Sequence, residues 1–97
     1  MQTRSATSGA LTELPNIGTE AAALLAAVGI NTADQLRQAG AIDAALRIRQ
    51  LRPADPPCRS MLAALAGAIR GVRWHTIPKA EREALWTAYQ RRASQPR

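Results

Sequence analysis

Phenylalanine is absent from this 97-residue chain, and aromatic residues make up only 3% of it. A core without aromatic bulk has to be built from the Ala and Leu that dominate the 46% hydrophobic fraction. Both are strong helix formers. Val, Ile and Tyr never alternate with polar residues over a useful length, so strands are not expected. A single cysteine, Cys58, excludes an intramolecular disulfide and fits a reducing, cytoplasmic setting. The single histidine, His75, lies too far from Cys58 in sequence to give zinc-ligand spacing. No flanking signature marks the two as a catalytic pair, and Cys58 reads as a small packed residue. The acidic residues are scattered, and no glycine-rich phosphate loop ends in lysine. The reading is therefore a non-enzyme with no metal, no cofactor and no small-molecule substrate. No apolar run approaches the ~20 residues that span a bilayer, and "MQTRSATSGA" lacks the apolar centre of a secretion signal.

What the chain does have is short helical patterns separated by Gly and Pro. Residues 1–7 read as a flexible arm, 8–93 as one domain and 94–97 as a tail. Ser8 is the expected cap of a short first helix carrying Leu11 and Leu14, ended by Pro15. A second helix is expected from about Thr19 to Val28, closed by a left-handed Gly29. Thr32 and Gln35 have the spacing of a capping box for a third helix that Gly40 closes. A fourth is expected from about Ala41 to Arg52, with Ile42, Ala45 and Leu46 on its inner face and Ile48 and Leu51 extending it. After "RPADPP", Asp55 is the expected cap, with Pro56 and Pro57 in the first turn of a fifth helix reaching Arg70. That helix has a core stripe of Leu62, Leu65, Ala66 and Ile69, and Gly67 for close approach of another helix. Pro78 starts a sixth, through about Arg92, with Leu85, Trp86 and Tyr89 facing inward. The fold class is all-α, a compact bundle of five to six short helices. Gly29, Gly40, Trp74 and Trp86 are its structural anchors, with Trp74 expected to be largely buried and to tie the second half to the first.

The stretch "LPNIGTEAAALLAAVGI" resembles a helix-hairpin-helix, in which two helices meet through a turn of the form apolar-Pro-Gly-apolar-Gly. The turn residues are Pro15, Asn16, Ile17, Gly18 and Thr19. Ile17 would be a buried peg, and Gly18 would hold a conformation that a Cβ would strain. Such a turn can aim free helix N–H groups at a phosphate. It can equally be a packing corner with no ligand. Asn16 stands where the first glycine is usual, and Asn tolerates a left-handed conformation. Glu20 stands where nucleic-acid-binding hairpins often place Lys or Arg. Its carboxylate suits the helix dipole but repels phosphate.

The likeness continues through "VGINTADQLRQAGA" and "CRSMLAALAGAIRGVRWHTIP". In order and register, roughly residues 11–92 resemble the C-terminal domain of TfoX/Sxy regulators of bacterial competence. Ala63 and Ala66 depart from the Tyr and Glu common there. The resemblance implies an all-helical fold containing the hairpin and a link to transcriptional control of DNA uptake. In full-length relatives this domain follows a separate N-terminal domain, which these 97 residues do not include.

Thirteen Lys+Arg against seven Asp+Glu leave a formal +6. Arg47, Arg49, Arg52, Arg59, Arg70 and Arg73 are the candidate nucleic-acid contacts, with only Asp55 to offset them in that stretch. The competing reading is a solvated surface whose apolar stems cover the core. Two functions follow. One is a regulatory module that binds another regulatory protein or itself, with no membrane partner. The other is a DNA-binding module without sequence preference that uses the hairpin and the arginines.

Overall fold

The fifth predicted helix is the organising element, because its small residues let neighbours approach from several sides. The computed structural model describes residues 10–95, so the expected arm and the Ser8 cap lie outside it, as do tail residues 96 and 97. Five α-helices are present among the described residues. They are α1 (Thr19–Ala27), α2 (Ala33–Ala39), α3 (Ala41–Leu51), α4 (Arg59–Arg70) and α5 (Lys79–Ser94). Two short 3₁₀ turns, Leu11–Glu13 and Trp74–Thr76, precede α1 and α5. The predicted first helix is thus only the Leu11–Glu13 turn, and Pro15 stops it from growing. No helix among the described residues is long and apolar enough to cross a membrane.

Helix α4 buries Leu62, Ala63, Leu65, Ala66, Gly67 and Ala68 and packs against α2, α3, α5 and the Trp74 turn. Its sequence stripe was too narrow, because alanines and a glycine carry no signal of which side they face. In α3 the buried face is Ala41, Ala44, Ala45 and Ile48. Ile42 and Leu46 are only partly buried, and Leu51 is 47% exposed. Backbone proximity replaces side-chain bulk here, as the alanine-rich composition requires.

The helix ends follow local chemistry. Gly29, at φ +87°, closes α1 with Gly29 N–H donating to Ala26 O and Ile30 N–H to Leu25 O, and Ile30 is buried beneath. Thr32 Oγ1 accepts from Gln35 N–H at 3.1 Å, while Gln35 Oε1 accepts from Asn31 N–H at 2.6 Å. Gly40 separates α2 from α3 at φ +86°. Asp55 does not cap α4. Cys58 occupies that position, exposed and without a side-chain hydrogen bond, and Pro56 and Pro57 precede the helix. Asp55 instead pairs with Arg52 at 3.3 Å across the turn. Cys58 is therefore not the packed residue its neighbourhood implied.

Candidate functional site

The hairpin turn is held by one side chain. Pro15 directs the chain out of the 3₁₀ turn, and Ile17 N–H donates to Leu14 O at 3.4 Å. Ile17 is buried at 5% exposure, as its role of peg requires. The left-handed residue is Asn16, at φ +72°, and it is the only non-glycine with positive φ among the described residues. Gly18 is extended, at φ −95° and ψ −173°, and an added Cβ there would meet nothing within 4 Å. The expectation of strain at Gly18 is therefore wrong. The turn places its conformational demand two residues earlier, where Asn can meet it.

Asn16 also reaches across the molecule. Its Nδ2 donates to Val72 O at 2.9 Å and to Ala64 O at 3.3 Å, and its Oδ1 accepts from Trp74 N–H at 3.2 Å. One amide thus ties the hairpin to the end of α4 and the turn beyond it. Gly67 makes room for this clamp. A Cβ on Gly67 would lie 2.6 Å from Asn16 Nδ2, 2.7 Å from Val72 O and 3.2 Å from Trp74 Cα. Gly67 therefore serves a connection and an amide, not the approach of another helix. Sequence reasoning saw Asn16 only as a turn residue. Its partners lie 48 to 58 residues away, and no local pattern encodes them.

Helix α1 starts at Gly18 without a side-chain cap, and its first internal bond is Ala22 N–H to Gly18 O. The preceding N–H groups are the hairpin's phosphate-binding potential. Glu20 lies in that first turn and is exposed, so a carboxylate already occupies the favourable end of the dipole.

The six candidate arginines do not form one strip. Arg47 donates to Asp43 at 3.0 Å and to Val28 O at 3.4 Å. Arg52 pairs with Asp55, Arg59 with Glu83 and Arg70 with Glu81. Four of the six are neutralised, three of them by carboxylates outside the stretch between Arg47 and Arg73. The hydrogen bond from Arg70 holds the Glu81 carboxyl below its ordinary range; desolvation opposes it, and the Arg70 charge adds a lesser downward effect. Arg49 and Arg73 have no carboxylate within salt-bridge reach among the described residues. Arg49 lies near the C-terminal end of α5, beside Arg92, whereas Arg73 lies near the hairpin. The Asp43–Arg47 and Arg52–Asp55 pairs were readable as helical and turn spacings. The two pairs that bridge α4 to α5 were not.

The aromatic anchors divide similarly. Tyr89 is 2% exposed and stacks on Trp86, with ring centroids 5.1 Å apart, while Arg59 lies over the other ring partner at 5.4 Å from the Trp86 centroid. Trp86 is partly buried against the core. Trp74 is also only partly buried, contrary to expectation. Ile77, at 3% exposure, fills the inner position of that connection. Trp74 does join the two halves, but through its backbone N–H on Asn16 rather than by burying its ring. Its ring carries Arg82, 5.4 Å from the centroid, and stands perpendicular to His75. Among the described residues, no three His, Cys, Asp or Glu side chains gather as metal ligands would.

Comparison with known proteins agrees with this architecture. A protein of unknown function from Listeria monocytogenes, solved in a triclinic crystal form, superposes with a TM-score of 0.79 at 35% identity, covering 92% of this chain and 99% of that one. A Listeria monocytogenes structure in a tetragonal form gives 0.75 at 35% identity, covering 86% and 99%. No curated protein matches the chain significantly. The family model of the TfoX C-terminal domain matches residues 7–89, and the chain belongs to that family.

Proposed function

We propose that this domain is a non-enzymatic regulatory module that acts in the bacterial cytoplasm by binding another protein. The observation that carries the reading is the internal neutralisation of Arg47, Arg52, Arg59 and Arg70. A surface that tracks a phosphate backbone leaves its guanidinium groups available to displace counterions. Here they are engaged by carboxylates of the same chain. Glu20 at the mouth of the hairpin adds to this, since it opposes an approaching phosphate. Membership of the TfoX C-terminal domain family supports transcriptional control linked to competence as the setting.

The contrary reading draws on the uncapped N-terminus of α1 and the +6 charge. Anisotropy titration of a labelled DNA duplex at about 50 and 200 mM salt separates the two. The expected result is weak binding that disappears at the higher salt, shows no sequence preference and keeps its salt slope when Arg47, Arg52 and Arg59 are replaced together. Tight binding that survives at the higher salt, with a slope that flattens in the triple variant, would overturn the protein-binding reading.

A further inference from the structure

We propose that the groove between α1, α4 and the Trp74–Thr76 turn docks an acidic protein segment, which inserts one apolar side chain beside Trp74. This rests on the protein-binding reading above and assigns it a surface and a partner chemistry. The groove holds about 430 Å³. Ala21, Met61, Ala64 and Trp74 form its apolar lining, and Arg73 and His75 stand on the Trp74 side. An apolar hollow bordered by Trp and Arg has the composition of a protein-binding hot spot.

Charge complementarity selects the occupant. None of the residues lining the groove is acidic. Of the seven carboxylates in the chain, Asp34, Asp43, Asp55, Glu81 and Glu83 are engaged with other arginines. Arg73 has no such partner among the described residues, and neither does Arg82, which donates to Ile77 O and lies over the Trp74 ring. The two cations beside Trp74 are thus among those the fold leaves uncompensated, and they flank an apolar hollow, while Arg59 and Arg70 on the neighbouring helix are compensated. Carboxylates on an incoming segment would complete them, and an apolar residue would fill the hollow.

A single-stranded nucleic acid fits less well. Base stacking needs an open aromatic face. Arg82 already covers one face of Trp74, and His75 stands perpendicular to the ring. A phosphate track would also have to continue along α4, where the arginines are held by Glu81 and Glu83.

The test is selection of displayed random short peptides on the full chain, followed by titration of the most enriched peptide. Binding is read by Trp74 emission in a Trp86→Phe background. The expected peptides carry Asp or Glu around one bulky apolar residue. Arg73→Glu should weaken binding about tenfold or more, and so should exchanging the peptide's acids for amides. Arg73 is exposed, so this variant keeps its fold, which circular dichroism checks; Trp74→Ala, which removes the reporter and is followed by the anisotropy of a labelled peptide instead, should abolish binding as well. Enriched peptides that ignore Arg73→Glu and leave Trp74 emission unchanged would overturn the groove while sparing the protein-binding reading. No enriched sequence would also overturn the groove, and binding of an oligothymidylate in its place would overturn both.

Discussion

Replacing Gly67 by Ala opposes two effects of known sign. Gly67 lies inside α4, where Ala is favoured over Gly by about 0.8–1.0 kcal/mol. On helix propensity alone the variant would be more stable than the parent. The structure predicts the reverse. The new methyl would sit 2.7 Å from the Val72 carbonyl, a backbone atom that cannot rotate away, and 2.6 Å from the Asn16 amide. Overpacking of this kind costs about 1–3 kcal/mol. Displacing Asn16 also weakens its bonds to Val72 O and Trp74 N–H, each contributing about 1 kcal/mol. Less the propensity gain, the net loss is about 1–4 kcal/mol. A loss of about 2 kcal/mol would lower the melting temperature of a domain this size by roughly 8–16 °C. Urea unfolding followed by far-ultraviolet circular dichroism measures it directly. A Gly67→Ala variant more stable than the parent would refute the clamp and leave only the helix propensity term.

Three further outcomes follow from the same geometry. Asn16→Ala should cost about 2–3 kcal/mol, combining left-handed strain with lost hydrogen bonds, whereas Asn16→Gly relieves the strain and should cost about 1–2 kcal/mol; equal losses in urea melts would show that φ at this position does not matter. Gly18→Ser should be neutral or stabilising by a few tenths of a kcal/mol, because its backbone is extended, the space is open and Ser is the better cap; a clear drop in melting temperature would restore the strained-glycine view. Glu81→Gln bears on acid stability. The folded carboxyl titrates below its unfolded value of about 4.3, so the stabilisation it gives is present above that value and is lost as pH falls through the folded value. The stability gap between parent and Glu81→Gln should therefore narrow between pH 7 and pH 3, and an unchanged gap would mean that the Arg70 pair does not persist in solution.

Helix ends were the most legible part of this chain, because capping is local. Gly29, Gly40, Thr32 and Gln35 behave as their spacing requires, since each acts on backbone groups within one helical turn. The register of α3 and α4 was less legible. Alanine on any face costs little, so the alanine-rich helices did not announce which side would be buried. Asp55 misled for a related reason. Its carboxylate had a nearby guanidinium, and the competing Arg52 pair in the turn replaced the cap. The arginine strip failed because charge was counted along the chain, whereas Glu81 and Glu83 are brought to α4 by the packing of α5.

The hairpin shows how a local motif and a long-range contact can share one residue. Asn at position 16 satisfies the left-handed turn, a role glycine would fill with less strain. Glycine, however, could not bond Val72 or Trp74. The carbonyl of Val72 is brought within reach because Val72 N–H has already turned back to Gly67 O, closing α4 through the left-handed Gly71. The α4 end, the hairpin turn and the start of the Trp74 segment therefore depend on one another. Loosening any of them removes acceptors or donors from the other two. That dependence also fixes the groove wall, since the residue Asn16 holds by its N–H is Trp74. Loss of the Asn16 clamp should consequently weaken an acidic segment docked beside Trp74 even though Asn16 itself carries no charge. Asn16→Gly is the variant that tests this, because it keeps the turn. An acidic peptide that binds Asn16→Gly as tightly as the parent would show that the groove is shaped by α1 and α4 alone.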